Sequence, residues 1–453
     1  MKNIPVSLGK KVEITIDSVS HQGEGIGRVE NFAIFVPGVI KEEEIRVKIT
    51  EIRKNFARGE LDEIIVSSPN RVKPPCFSFS LCGGCHLQHI IYKKQLEIKK
   101  EIVKNTLSRI GQQSIDVLPT IGMEIPWQYR NKGYFHLARE NNHIKLGFYQ
   151  AKSHELVTFS RCLLFSQNIN LLIKYLEEAL TKQKITIYNH KTDSGNFRGI
   201  LLRESKYSGE IMIIFVTKED KWALDDHFLN HLVIDFPQIV SIFQNVNKNP
   251  KMALLGKEFK VLKGKTFIED HIGPYTFRIS PSSFFQVNVF QTETLYKKIS
   301  ETINLCGKET VIDSYCGAGT ISVYLAGKAK KVYGLELHKG AVKDAWNNGR
   351  LNGLSNLKFF SGKAEKWLYR WNQNSEEVEV IIIDPPRKGC SREVLKNVIR
   401  IDPEQILYVS CDMATMARDI KYITQNGYKL KFAQPVDMFP QTRHIECLIY
   451  LTR

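Results

Sequence analysis

The sequence predicts an α/β protein whose C-terminal third is a doubly wound, Rossmann-like sheet carrying the chemistry. Two apolar runs stop abruptly at reactive side chains, residues 378–387 (VEVIIIDPPR) and 407–412 (LYVSCD). Each reads as a buried strand followed by a polar break. The third observation is the Gly-rich turn at 314–320 (SYCGAGT) between a strand pattern and a helix pattern. In open α/β sheets ligands sit beyond the carboxyl ends of the strands. Asp384 and Cys411 are therefore expected side by side over one crevice. A strand-end cysteine is either a small buried hydrophobe or a nucleophile, and the rest of the chain decides between them.

With 453 residues, 43% hydrophobic and 25% charged, the chain is sized for about three soluble domains. The excess of 64 Lys and Arg over 48 Asp and Glu, a net charge of +16, suggests a polyanionic partner, nucleic acid before an anionic membrane. No run reaches the length of a membrane span and the first 17 residues lack an apolar leader core, so a cytoplasmic protein without membrane partners is expected. Nine cysteines in that compartment argue for metal binding or catalysis rather than disulfides.

Residues 1–66 alternate as five short strands with tight turns, as in a small OB-type barrel. Arg46, Lys48, Arg53, Lys54 and Arg58, with Phe56 among them, either track a phosphate backbone or form a solvated edge. A central region, 67–279, opens with Cys76, Cys82 and Cys85 spaced C-x5-C-x2-C around the Gly83–Gly84 pair. A zinc ribbon needs two C-x2-C knuckles, so three close thiols with Cys162 as a distant fourth suit an iron–sulfur cluster better. Residues 92–110 have helical periodicity, with their lysines expected on a solvated face. Strands of a mixed β domain follow at 134–137, 144–149, 199–204, 209–217 and 239–247, with a helix near 168–181.

From residue 280 the pattern is βαβ. Gly317 and Gly319 allow close approach of a nucleoside, and the next strand ends in Glu336, placed to accept ribose hydroxyls. Ser322 stands where a dinucleotide fingerprint has its third glycine. That favours S-adenosylmethionine, which has no pyrophosphate to hold, over a nicotinamide dinucleotide.

These motifs together carry a resemblance. C-x5-C-x2-C followed by HLQH, SPSSFFQVN (280–288), DSYCGAG (313–319), DPPRKG (384–389), YVSCD (408–412) and HIE (444–446) resemble, in order and spacing, the RumA-like family of RNA uracil-5 methyltransferases. The resemblance implies a Rossmann-like S-adenosylmethionine-dependent methyltransferase domain (280–453), an N-terminal TRAM barrel that binds RNA (1–66), and a central domain (67–279) with a [4Fe–4S] cluster on Cys76, Cys82, Cys85 and Cys162. Its helix 92–110 is expected against the catalytic domain. It further implies Cys411 as nucleophile, Glu446 as general base, and Gln286, Tyr315, Glu336 and Asp384 as contacts to S-adenosylmethionine, beside Gly317 and Gly319. The implied partner is 23S rRNA, offering a flipped uridine from a single strand or loop to a monomeric enzyme. A branch acting on the tRNA T-loop is the neighbouring alternative, and cytosine-5 methylation shares the thiolate strategy. An RNA-binding iron–sulfur chaperone with secondary methylation is the alternative of another class. The chain departs from the family at Tyr315, where Phe is common, and at Asp412, where Asn or Pro is common. Arg387 replaces the aromatic residue that follows N/D-P-P in amine methyltransferases, favouring methylation at carbon. Its own role is either to stabilise an enolate or to hold a phosphate.

Overall fold

The structure, a computed structural model, describes residues 4–150, 153, 155–249, 254–374 and 376–453; the first three residues of the expected barrel lie outside them. Five strands, β1 (Lys11–Val19), β2 (Gly25–Val29), β3 (Phe32–Val36), β4 (Glu44–Ile52) and β5 (Phe56–Val66), close a barrel in the order β1-β2-β3-β5-β4. Alternate residues such as Ile14, Ile16, Ile34, Val36, Ile45, Val47 and Ile49 fill it, as period-2 side-chain alternation requires. Three of the five basic residues singled out here face acids. Arg46 pairs with Glu13 and Glu63, Arg53 with Glu51, and Arg58 with Glu24.

Helix α1 (Tyr92–Arg109) comes next. The central domain is a seven-stranded sheet built from β6 (Lys132–Glu140), β7 (His143–Tyr149), β8 (Leu156–Thr158), β9 (Phe197–Glu204), β10 (Ile211–Thr217), β11 (Ile239–Val246) and β12 (Glu258–Gly264). Its order is β12-β11-β10-β9-β6-β7-β8, and helices α2 (Gln167–Thr181) and α3 (Asp226–Asp235) cover one face. A hairpin, β13 (Ile268–Ile272) and β14 (Tyr275–Ile279), and helix α4 (Val289–Ile303) lead into the C-terminal sheet.

That sheet contains β15 (Thr310–Ser314), β16 (Lys331–Glu336), β17 (Leu357–Ser361), β18 (Val380–Ile383), β19 (Gln405–Ser410), β20 (Lys429–Val436) and β21 (Glu446–Thr452), in the order β17-β16-β15-β18-β19-β21-β20. Helices α5 (Thr320–Ala326), α6 (Lys339–Leu351), α7 (Ala364–Asn374), α8 (Arg392–Ile401) and α9 (Met413–Gln425) connect the strands. The continuous apolar runs of β18 and β19 follow from burial on both faces. Ile381, Ile383, Ile406 and Tyr408 face the α7–α9 side, whereas Val380, Ile382, Leu407 and Val409 face the α4–α6 side.

Helix α1 belongs to the first of these two cores. Ile98, Ile102, Val103 and Leu107 are buried with Met416, Ile420 and Ala433, each aliphatic side chain contributing about 2 kcal/mol of burial. The central sheet joins the second core through Leu201, Met212, Ile214 and Val216. The lysines of α1 do not all face solvent, because Lys99 is fully buried. No helix among the described residues is long and apolar enough to cross a membrane.

Candidate active site

Parallel pairing of β16, β15, β18 and β19 puts their carboxyl ends along one edge. Glu336 ends β16, Tyr315 follows β15, Asp384 follows β18 and Cys411 follows β19. Strand β21 runs antiparallel to β19 with Ser410 opposite Cys447. Its amino end therefore reaches the same edge, and its first residue is Glu446. One reversed strand thus delivers an acid from the end of the chain to the crevice beside Cys411.

Dryness sets the electrostatics. Glu446 is 3% exposed; burial, then the Asp384 carboxyl, push it well above the usual carboxylate range, with Arg387 opposing. Burial raises Asp384 to about 7. Two interacting carboxyls in a dry crevice each disfavour ionisation of the other. The Cys411 thiol is pushed up to about 11 by burial, then by Glu446 and Asp384, while the Arg387 charge and a hydrogen bond from its guanidinium act the other way. Arg387 is thus the cation at the thiol, a placement the sequence left open. Replacing it with alanine is expected to move the Cys411 alkylation profile, followed by mass spectrometry of that peptide, to still higher pH. Methylation should slow by about 10–100-fold, the worth of one charged hydrogen bond.

The loop bearing Arg387 is fixed by α9. Thr415 Oγ1 donates to the Arg387 carbonyl (3.0 Å) and Arg418 Nη2 to the carbonyls of Lys388 and Cys390 (3.2 Å each). The Cys390 amide donates to Asp419 (2.8 Å), which also accepts from the Tyr408 hydroxyl (2.7 Å). Asp412 caps α9, accepting from the Thr415 amide at 2.9 Å, so this departure from the family pattern serves as a helix cap.

Around the Gly-rich turn, Gly317 and Gly319 have φ of 56° and 77°. A Cβ on Gly319 would meet Ala345 and Phe359 at 2.9 Å, whereas one on Gly317 would project into open space. Glu336 accepts from the amides of Gly317 (3.2 Å) and His338 (2.8 Å), each through one oxygen that retains a lone pair for a ribose hydroxyl. Asp313 is buried beneath, raised to about 7 by burial first. One of its oxygens accepts from Ser322 (2.6 Å) and the other has no partner. Tyr315, at φ 71°, turns its hydroxyl away to donate to the Cys390 thiol. Gln286 lies in the loop before α4, its carbonyl accepting from Asn131 Nδ2 at 2.9 Å. An open glycine, a strand-end acid and an orphaned buried carboxyl oxygen fit a nucleoside donor bearing an amino group.

What the sequence did not disclose is how the segment before Glu446 is held. Lys99 and Tyr92 of α1 both bond Asp437, the tyrosine at 2.8 Å. The amides of His86 and Leu87 donate to the Gln441 carbonyl at 3.0 Å. Tyr129 donates to the Pro440 carbonyl (3.0 Å) and Arg443 to the Gln22 carbonyl of the barrel (3.1 Å). The available signal was Gln95 and Lys99 falling at apolar spacing with Ile98, Ile102 and Val103.

Comparison with known proteins places the chain in a family. Residues 91–453 match the tRNA (Uracil-5-)-methyltransferase family and residues 5–61 match the TRAM domain. The chain belongs to the RNA uracil-5 methyltransferase family. An uncharacterized RNA methyltransferase of Clostridium tetani is 43% identical over 451 residues, covering 100% of this chain and 98% of the relative. One of Oceanobacillus iheyensis is 41% identical, covering 99% and 98%. The crystal structure of the Pyrococcus abyssi tRNA (uracil-54, C5)-methyltransferase with S-adenosyl-L-homocysteine superposes with a TM-score of 0.78 at 28% identity, covering 97% of this chain and 100% of that one. The methyltransferase is thus S-adenosylmethionine-dependent, and its N-terminal barrel is a TRAM domain.

In this methyltransferase Cys76, Cys82, Cys85 and Cys162 line one cavity of about 320 Å³ with Phe79, Phe148 and Arg130. Burial pushes the Cys85 thiol up to about 12 and Cys162 to about 11. No three His, Cys, Asp or Glu side chains among the described residues are grouped to hold a metal ion.

Proposed function

We propose that this protein methylates carbon 5 of a uridine in RNA through a covalent adduct between Cys411 and carbon 6 of the base. The observation that carries the reading is the meeting of Cys411, Arg387, Asp384 and Glu446 at one sheet edge. Carbon 5 of uracil is too weak a nucleophile to take a methyl cation unaided. Addition of the Cys411 thiolate to carbon 6 moves the double-bond electrons toward oxygen 4 as an enolate, whose carbon 5 takes the methyl group. Gln286, Gly317, Glu336 and Asp384, with Tyr315 shaping the turn, would hold S-adenosylmethionine, whose sulfonium would supply the methyl group and leave as the thioether S-adenosylhomocysteine. Glu446 then removes the carbon 5 proton, the double bond re-forms and the thiolate is expelled. Arg387 lowers the cost of the thiolate at both ends of this sequence.

The substrate in this reading is 23S rRNA, acted on by a monomer in the cytoplasm. A second reading, the tRNA T-loop, draws support from the Pyrococcus enzyme, which matches this chain over nearly its whole length, so the barrel does not separate the two. Mass-spectrometric mapping of 5-methyluridine in rRNA and tRNA from cells with and without the protein tests both. Loss from 23S rRNA is the expected outcome, loss confined to the T-loop selects the second reading, and a 5-methylcytidine product overturns both. In the same proposal the four cysteines hold a [4Fe–4S] cluster that ties residues 76–85 to Cys162. Support comes from the shared cavity, and iron and sulfide analysis of anaerobically purified protein checks it.

A further inference from the structure

One pair of cations in the seam between the central and C-terminal domains lacks the partners that the rest of the molecule supplies. Lys132 on β6 lies directly opposite Arg203 on β9, so their side chains emerge from the same face of the sheet. Like charges directly opposite across strands are destabilising. Arg203 is 2% exposed, and its Nε and Nη1 have no partner; only Nη2 is used, donating to the Ser283 carbonyl at 2.8 Å. Neither residue forms an ion pair among the described residues, in contrast to Arg46, Arg53 and Arg58 of the barrel. The acid acting on Arg203 is Asp344, which already accepts from the hydroxyls of Ser280 and Ser283. Burial, then Arg203 and Arg130, hold the Lys132 ammonium down to about 7.

The pair lies against the loop that carries Gln286. Asn131, next to Lys132, bonds the Val287 carbonyl through its amide and the Gln286 carbonyl through its side chain, both at 2.9 Å. Lys132 is half-buried, whereas Arg203 is almost fully buried. Uncompensated buried charge is retained where a ligand supplies the missing counter-charge.

We infer that Lys132, with Arg203 behind it, is the seat for a backbone phosphate of the RNA strand entering the cleft past Gln286. Lys132 contacts the phosphate; Arg203 is a positioning residue that contributes field and holds the loop at Ser283. The inference rests on the reading of RNA as substrate, but its test needs no methyl transfer, so the two fail separately. The probe is a fluorescent ten-nucleotide oligouridylate, with binding read by anisotropy across a salt series. Lys132→Gln is expected to weaken binding about tenfold near physiological salt and to reduce the slope of log K against log salt by about 0.7, the loss of one single-strand phosphate contact. Lys132→Arg should restore both. Relief of the like-charge pair should raise the melting temperature of Lys132→Gln by about 2–4 °C, a gain in stability alongside a loss in binding. An unchanged salt slope in Lys132→Gln overturns the proposal. So does an unchanged slope with weakened S-adenosylhomocysteine binding by calorimetry, which would give the seat to the cofactor carboxylate.

Discussion

Replacing Cys411 with alanine is expected to abolish methyl transfer, and RNA containing 5-fluorouridine should then form no covalent complex with the protein. The wild-type chain is expected to form that complex and to stall in it, because fluorine at carbon 5 cannot leave as a proton does. The site explains why the thiol is poised but not spontaneously reactive. With the Cys411 thiol pushed up to about 11, only about one molecule in ten thousand carries a thiolate at neutral pH, at about 1.36 kcal/mol per pH unit. Arg387 is the group in place to offset part of that cost. Alkylation of Cys411 should accordingly accelerate with pH up to about 11, since the thiolate is the reactive form. A covalent complex persisting in Cys411→Ala would remove Cys411 from the mechanism.

Glu446→Gln is expected to separate the two halves of the reaction. Addition and methylation proceed, but the carbon 5 proton has no acceptor, so a methylated covalent protein–RNA complex accumulates on denaturing gels. Turnover falls by about 10²–10⁴-fold, the usual contribution of a positioned base. The same substitution removes a negative neighbour that raises the Cys411 thiol, so Cys411 should alkylate faster at a given pH even as turnover collapses. Normal turnover in Glu446→Gln would assign the proton to another group, with Asp384 the nearest alternative.

The C-terminal sheet was the most legible part of the chain, because strands buried on both faces leave uninterrupted runs such as IIID and LYVS that end where chemistry begins. Asp384 and Cys411 could be set side by side from that alone. Glu446 could not, since nothing in its own run shows that β21 lies antiparallel to β19; the motif HIE pointed to the residue, and the sheet direction explains it. Lys99 was misread because lysines along a helix are ordinarily solvated, and its partner Asp437 lies 338 residues away. The barrel's basic residues were visible in the sequence, but their acidic partners sit on neighbouring strands and show only once register is known. The pairing of Lys132 with Arg203 was hidden for the same reason.

The place of α1 bears on how the molecule is made. Its buried face joins a core most of whose other members come from residues 312–451, with Ile40, Leu87, Ile90 and Val117 beside them. During synthesis at 5–20 residues per second, Ile98, Ile102, Val103 and Leu107 wait roughly 15–65 s before the last strands of that sheet leave the ribosome. The barrel and central sheet can close in that interval, but the C-terminal half cannot complete its core until the early helix is returned to it. A chain begun at residue 280 would lack that cover altogether, together with Lys99 for the buried Asp437. The barrel and the central sheet can thus form early, with the first long helix held over as the final piece of the last sheet.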